Sequence, residues 1–158
     1  MSEASGKPSA QSGKSGLPGS ILFICGMNSI RSPMAELLAR RVLPPSVYIA
    51  SAGVQQGERD PFVDVVLTEE DLSLGDRHPV MLDDLEDNYF DLIITLAPMA
   101  HHRALELTRS SSVVVEYWPM PEPVLVGNRR EQILQAYREV RDMLKARIEE
   151  RFGPDSTL

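Results

Sequence analysis

The chain has 158 residues, 42% hydrophobic and 25% charged, which supports one core and excludes whole-chain disorder. No apolar run reaches the roughly 18 residues of a membrane span. A formal net charge of -7 argues against a protein that grips nucleic acid by neutralising phosphates over a broad surface.

Met1 to Ser20 hold six Ser, four Gly and two Pro, so residues 1–19 read as a disordered tail. The tail has no apolar stretch of roughly 7–15 residues, as a signal peptide requires. Gly13-Lys14-Ser15 is not a phosphate loop, because Pro8 stands where a Gly is needed and no strand precedes it. Ile21 to Cys25 is a continuous apolar run and predicts a strand buried on both faces. Ser32 as N-cap, Pro33 at the first helical position and Glu36 in the first turn predict a helix to about Leu43, ended by Pro44-Pro45. Val47 to Ser51 reads as a second strand. Pro61 to about Glu70 reads as a helix with Phe62, Val65 and Val66 on its apolar face. The stretch from Leu72 to Asn88 is irregular and acidic. Phe90 to Leu96 predicts a third strand, Pro98 to Leu107 a helix and Val113 to Trp118 a fourth strand. A Pro-rich loop over 119–128 leads into a long amphipathic helix, Arg129 to Phe152. Its apolar stripe is Ile133, Tyr137, Val140, Leu144 and Ile148.

Strands alternating with helices predict an α/β fold: a four-stranded parallel sheet with helices on both faces, in three layers. One domain over residues 20–153 is expected, followed by a short tail at 154–158. Ligand sites in such folds lie beyond the carboxyl ends of the strands. Cys25 is the only cysteine, so no internal disulfide forms. A reducing, cytoplasmic setting is expected.

The first strand ends in Cys25-Gly26-Met27-Asn28-Ser29-Ile30-Arg31-Ser32-Pro33. A loop between a buried strand and a helix start can turn its amides inward and cradle an anion. The helix dipole and Arg31 add positive charge at the same place, and the guanidinium fork matches phosphate oxygens. Such a field favours a thiolate on Cys25, and the Ser32 hydroxyl stabilises it further. A thiolate beneath a bound oxyanion is placed for in-line attack at phosphorus or arsenic.

Residues 21–36 resemble the low-molecular-weight protein-tyrosine phosphatases, whose Cys-x5-Arg-Ser-Pro stands at the first strand–helix junction. The similarity extends over most of residues 20–152, including Ser51-Ala52-Gly53 and the closing helix. The resemblance implies sheet order 2-1-3-4, Cys25 as nucleophile and Arg31 as transition-state clamp. It also implies Gly26, Met27, Asn28, Ser29, Ile30 and Ser32 as the substrate-binding loop, with amides 26–31 donating to the oxyanion. Asn28 and Ser51 would hold the loop's shape. The implied reaction runs through phosphocysteine, with no metal or other cofactor. The implied partner is a phosphorylated substrate, a protein phosphotyrosine or a small phosphomonoester, with no nucleic acid or membrane involved.

This chain departs from the family at several places. Pro121-Glu122-Pro123 echoes the acid loop with Glu122 where the family has Asp, which makes Glu122 the expected general acid and Glu116 the fallback. Ile30 replaces the family's second loop cysteine. Met27 replaces a Gly, which moves the left-handed turn toward Gly26. Val124 and Leu125 replace the aromatics that follow the acid loop, and the nearby Tyr117 and Trp118 read as packing residues. Asp76 or His78 would anchor the cysteine loop. His101 and His102 read as surface histidines, Asp83 to Asp87 as a solvated acidic face and Arg129-Arg130 as a solvated helix start. Two other activities fit the same residues. One is arsenate reduction with an external thiol. The other is a non-catalytic phosphate-binding or phosphoprotein-binding regulatory module.

Overall fold

The computed structural model of the protein describes residues 16–86 and 89–154. Most of the two expected tails, at 1–15 and 155–158, and Asp87 of the acidic run lie outside the described residues.

Four parallel strands, β1 (Ser20–Cys25), β2 (Tyr48–Gly53), β3 (Leu92–Thr95) and β4 (Val114–Tyr117), form one sheet in the order β2-β1-β3-β4. Four helices connect and follow them: α1 (Arg31–Val42), α2 (Pro61–Thr68), α3 (Pro98–Leu107) and α4 (Arg130–Phe152). The strand period of two divides β1 between two cores. Ile21, Phe23 and Cys25 face a core with Met34, Leu38, Val66, Leu144 and Ile148. Leu22 and Ile24 face the other, with Ala97, Ala100 and Ala104. Helices α1, α2 and α4 therefore cover one face and α3 the other, giving the three expected layers.

Local chemistry sets several boundaries. The Asp60 side chain accepts from the Phe62 amide and Pro61 opens α2, a regular helix start. Leu43 is extended ahead of Pro44, which ends α1. Some expectations shift. β2 runs on to Gly53 because Ala52 and Gly53 pair with Ile24 and Cys25. The fully buried residues of α2 are Val63, Val66 and Leu67, while Phe62 and Val65 are only half-buried. Ser32 is not the cap of α1. Ile30 holds that position without a side-chain bond, and Ser32 is wholly buried inside the first turn. Trp118 is core: its ring meets Phe23 edge-on at 6.1 Å, and the Arg147 guanidinium lies 4.5 Å from it. Its indole N–H donates to Glu116.

The register brings Cys25, Gly53, Thr95 and Tyr117 to one end of the sheet. From β1 the chain crosses to β2 on one side, whereas β3 lies on the other. The loops after β1 and β3 diverge there and open a crevice at the strand-order reversal. Among the described residues, no helix is long and apolar enough to cross a membrane.

Candidate active site

The crevice is a cavity of about 400 Å³, lined from the β1–α1 loop by Cys25, Gly26, Met27, Ser29, Ile30 and Arg31. Ala97, Pro98 and Met99 of the β3–α3 junction, Gln55 and Glu122 complete its wall. Cys25 is 2% exposed, so its sulfur forms the floor rather than the rim.

The sulfur is surrounded by hydrogen-bond donors. The amides of Asn28 and Ser32 donate to Cys25 Sγ at 3.3 and 3.4 Å. Ser32 Oγ lies 2.9 Å from it. Asn28 and Ser32 thus sit behind the sulfur, not along the cavity wall. This arrangement, at the first turn of α1, points two fixed N–H dipoles at the sulfur.

Asn28 is the left-handed residue of the loop, with φ 57, so the turn expected near Gly26 falls two positions later. Asn tolerates this conformation, and here its side chain secures it. Asn28 Nδ2 donates to Ser32 Oγ at 2.8 Å and to Ser51 Oγ at 3.0 Å. Asn28 Oδ1 accepts from the Val80 amide at 2.9 Å. The expected anchors Asp76 and His78 are not the ones used: Val80 reaches Asn28 through its backbone. The Gly26 carbonyl accepts from the Val54 and Gln55 amides, tying the loop's first residue to the end of β2.

Close approach explains Gly53. A Cβ there would stand 2.5 Å from the Met27 carbonyl carbon and 2.6 Å from the Asn28 amide nitrogen, both backbone. Gly53→Ala is expected to lower stability by about 1–3 kcal/mol, read from urea unfolding, and to weaken phosphate binding because the loop must move. Unchanged phosphate affinity in this variant would mean that the loop tolerates displacement.

Arg31 Nη1 donates to the Met120 carbonyl at 3.0 Å, and its Nη2 lies 3.9 Å from Glu122 Oε2. The guanidinium is mostly buried, while the Glu122 side chain is 68% exposed. The 119–128 loop thus brings a carboxyl group to the cavity mouth, beside the arginine. The fallback acid Glu116 is not among the residues that line the cavity and is held in an ion pair with Arg151 at 2.8 Å. Burial pushes the Glu116 carboxyl up, but the bonds from Arg151 and Trp118 outweigh this and hold it below the usual carboxylate range. His101 is more than a surface residue: its Nδ1 lies 2.9 Å from Thr95 Oγ1, and its ring stacks on Tyr117 at 4.5 Å. Arg129 precedes α4, its amide donating to Gln132. Asp83 pairs with Arg103.

The sequence reading overlooked a group behind the loop. Glu36 is 2% exposed, accepts from Ser51 Oγ at 2.7 Å and lies between Arg40 at 2.6 Å and Arg77 at 2.7 Å. A signal existed: Glu36 follows Ser32 by four residues, which places both on one helix face. An acid on a face turned to the core demands partners.

The family model for the low molecular weight phosphotyrosine protein phosphatase matches residues 20–153. An arsenate reductase from Staphylococcus xylosus is 29% identical over 129 residues, covering 82% of this chain and 92% of its own. The tyrosine phosphatase AmsI of Erwinia amylovora superposes with a TM-score of 0.68 at 23% identity, covering 87% of this chain and 93% of that one. The YwlE arginine phosphatase from Geobacillus stearothermophilus superposes at 0.69 with 22% identity, covering 85% and 90%. At these identities the two superpositions establish the shared fold. With the family match spanning the sheet, the loop and all four helices, the chain belongs to the low-molecular-weight phosphotyrosine protein phosphatase family.

Proposed function

We propose that the protein is a metal-independent phosphomonoester hydrolase in the cytoplasm, acting on a protein phosphotyrosine or a small phosphomonoester. The observation that carries this proposal is a single buried sulfur on a cavity floor, facing two amide donors and a hydroxyl, with Arg31 and Glu122 on the wall above. Arg31 and the loop amides hold the equatorial phosphoryl oxygens. Cys25 Sγ attacks phosphorus, the P–O bond to the leaving group breaks, and the Glu122 carboxyl gives its proton to the departing oxygen. Glu122, now a carboxylate, takes a proton from water as the water oxygen attacks phosphorus. The S–P bond breaks and the thiolate returns to its donors.

Arsenate reduction is the second activity, favoured by the arsenate reductases among the relatives. Arsenate has the same tetrahedral oxyanion shape. Cys25 Sγ would displace one arsenate oxygen, which leaves as water, to form a sulfur–arsenic bond. An external thiol would attack that sulfur, the electron pair of the S–As bond passing to arsenic, which leaves as arsenite. A further external thiol would free Cys25 from the mixed disulfide. A second thiol must come from outside because the chain holds one cysteine.

Purified protein given p-nitrophenyl phosphate at pH 5–7 is expected to turn over. Glu122→Gln is expected to lower that rate roughly 10²–10⁴-fold. Turnover unchanged in this variant would remove Glu122 from the mechanism. Arsenate-dependent consumption of glutathione, without phosphatase turnover, would assign the reductase. Phosphate binding without either turnover would assign the regulatory module.

A further inference from the structure

Strand β2 is an outer strand, so one side of its backbone has no neighbouring strand. The Tyr48 amide donates to the Gly19 carbonyl, which turns the backbone groups of Tyr48, Ala50 and Ala52 toward β1 and those of Ile49, Ser51 and Gly53 toward the outer edge. Two bonds agree with this alternation. The Ile49 carbonyl accepts from Arg40 at 2.8 Å, and the Gly53 amide donates to the Val80 carbonyl. Between them, the outward amides of Ile49 and Ser51 and the Ser51 carbonyl have no partner among the described residues. Both residues are buried, where backbone groups need partners. The bridge between Gly53 and Met81 is parallel, and continuing it would bring the Val80 amide to the Ser51 carbonyl. That amide is given to Asn28 instead. A cavity of about 330 Å³ lies between Ile49, Ala50 and Ser51 on one side and Arg77, His78 and Val80 on the other. A second cavity of about 500 Å³ shares Arg40, Tyr48 and Ile49 with it and extends the groove past the start of β2.

The two faces of this edge differ. On the α1 face, Arg40 and Arg77 flank the single charge of Glu36 and leave one positive charge in excess. Both arginine side chains are partly exposed. The other face is apolar, with Tyr48, Ala50 and Leu85 along the groove. We propose that the outer edge of β2 binds an extended peptide segment of a partner protein, which joins the sheet as a further strand with carboxylate side chains on the α1 face and apolar side chains on the other. Its backbone supplies the alternating donors and acceptors that Ile49 and Ser51 lack. The carboxylates meet the excess positive charge, a local attraction in a chain whose net charge is -7.

The test titrates the full chain with a short acetylated, amidated peptide of alternating Val and Glu, followed through the backbone amide signals in NMR spectra. The Ile49 and Ser51 signals are expected to shift and to approach saturation at about millimolar peptide, with Gly26 and Met27 unmoved. A peptide of alternating Val and Lys is expected to bind at least roughly fivefold more weakly, although the net charge of the chain favours it. Arg40→Gln is expected to erase most of that difference, and Arg77→Gln takes its place if Arg40→Gln does not fold. Unmoved Ile49 and Ser51 signals, shifts at Gly26 and Met27 instead, or a failure to prefer Glu over Lys overturns the proposal. Two further peptides carry N-methyl groups on the Val or on the Glu residues. One of them is expected to bind and the other not, because a strand turns one alternate set of amides to its neighbour. Binding by both or by neither overturns the pairing. Shifts at Ile49 and Ser51 that follow protein concentration alone would assign the edge to a second copy, and contacts from residues 1–15 to Ile49 and Ser51 would assign it to the chain's own segment; either result also overturns the proposal.

Discussion

Cys25→Ser is expected to lower turnover of p-nitrophenyl phosphate by roughly 10⁵-fold or more while phosphate still binds. The sulfur lies at the cavity floor, where it would form the covalent intermediate, and hydrogen-bond donors surround it. The Asn28 and Ser32 amides converge on it. A serine hydroxyl at neutral pH keeps its proton, and the groups bonded to the side chain at position 25 among the described residues are the Asn28 and Ser32 amides and the Ser32 hydroxyl. Arg31 and the loop amides remain, so the anion still has its donors. Turnover assays and calorimetric titration with inorganic phosphate read the two effects separately. Activity within tenfold of wild type would show that the reaction does not pass through Cys25.

Arg31→Ala is expected to cost roughly 10³–10⁵-fold in kcat/KM, the range for an arginine that stabilises phosphoryl transfer. Two losses combine. The transition state loses a charged fork, and the 119–128 loop loses its tie to the Met120 carbonyl. Glu122, which lies 3.9 Å from the guanidinium, then loses its neighbour. Arg31→Lys restores the charge but not the planar pair of donors, so it is expected to recover only a small part of the rate. Full recovery by lysine would show that point charge, rather than fork geometry, is what the site requires. Equal KM effects on substrate and phosphate, with kcat preserved, would make Arg31 a binding residue only.

The elements and the nucleophile loop were legible along the chain because their causes are local. Alternation of apolar strands with periodic helices, Pro at helix starts and a lone Cys six residues before Arg are all short-range patterns. Helix α3, Pro98 to Leu107, matches its expected span for this reason. Tertiary structure decided what depends on residues distant in sequence. Val80 comes 52 positions after Asn28 and supplies its acceptor's partner; Arg77 comes 41 after Glu36 and shares its charge. Gly53 is needed only because β2 lies beside β1 and presses its last residue against the loop backbone. Ser32 looked like a cap because caps favour serine, yet the buried sulfur beside it is the stronger claim on its hydroxyl. Local propensity chooses the elements, but a buried polar atom takes whichever partner the packing of remote segments brings within about 3 Å.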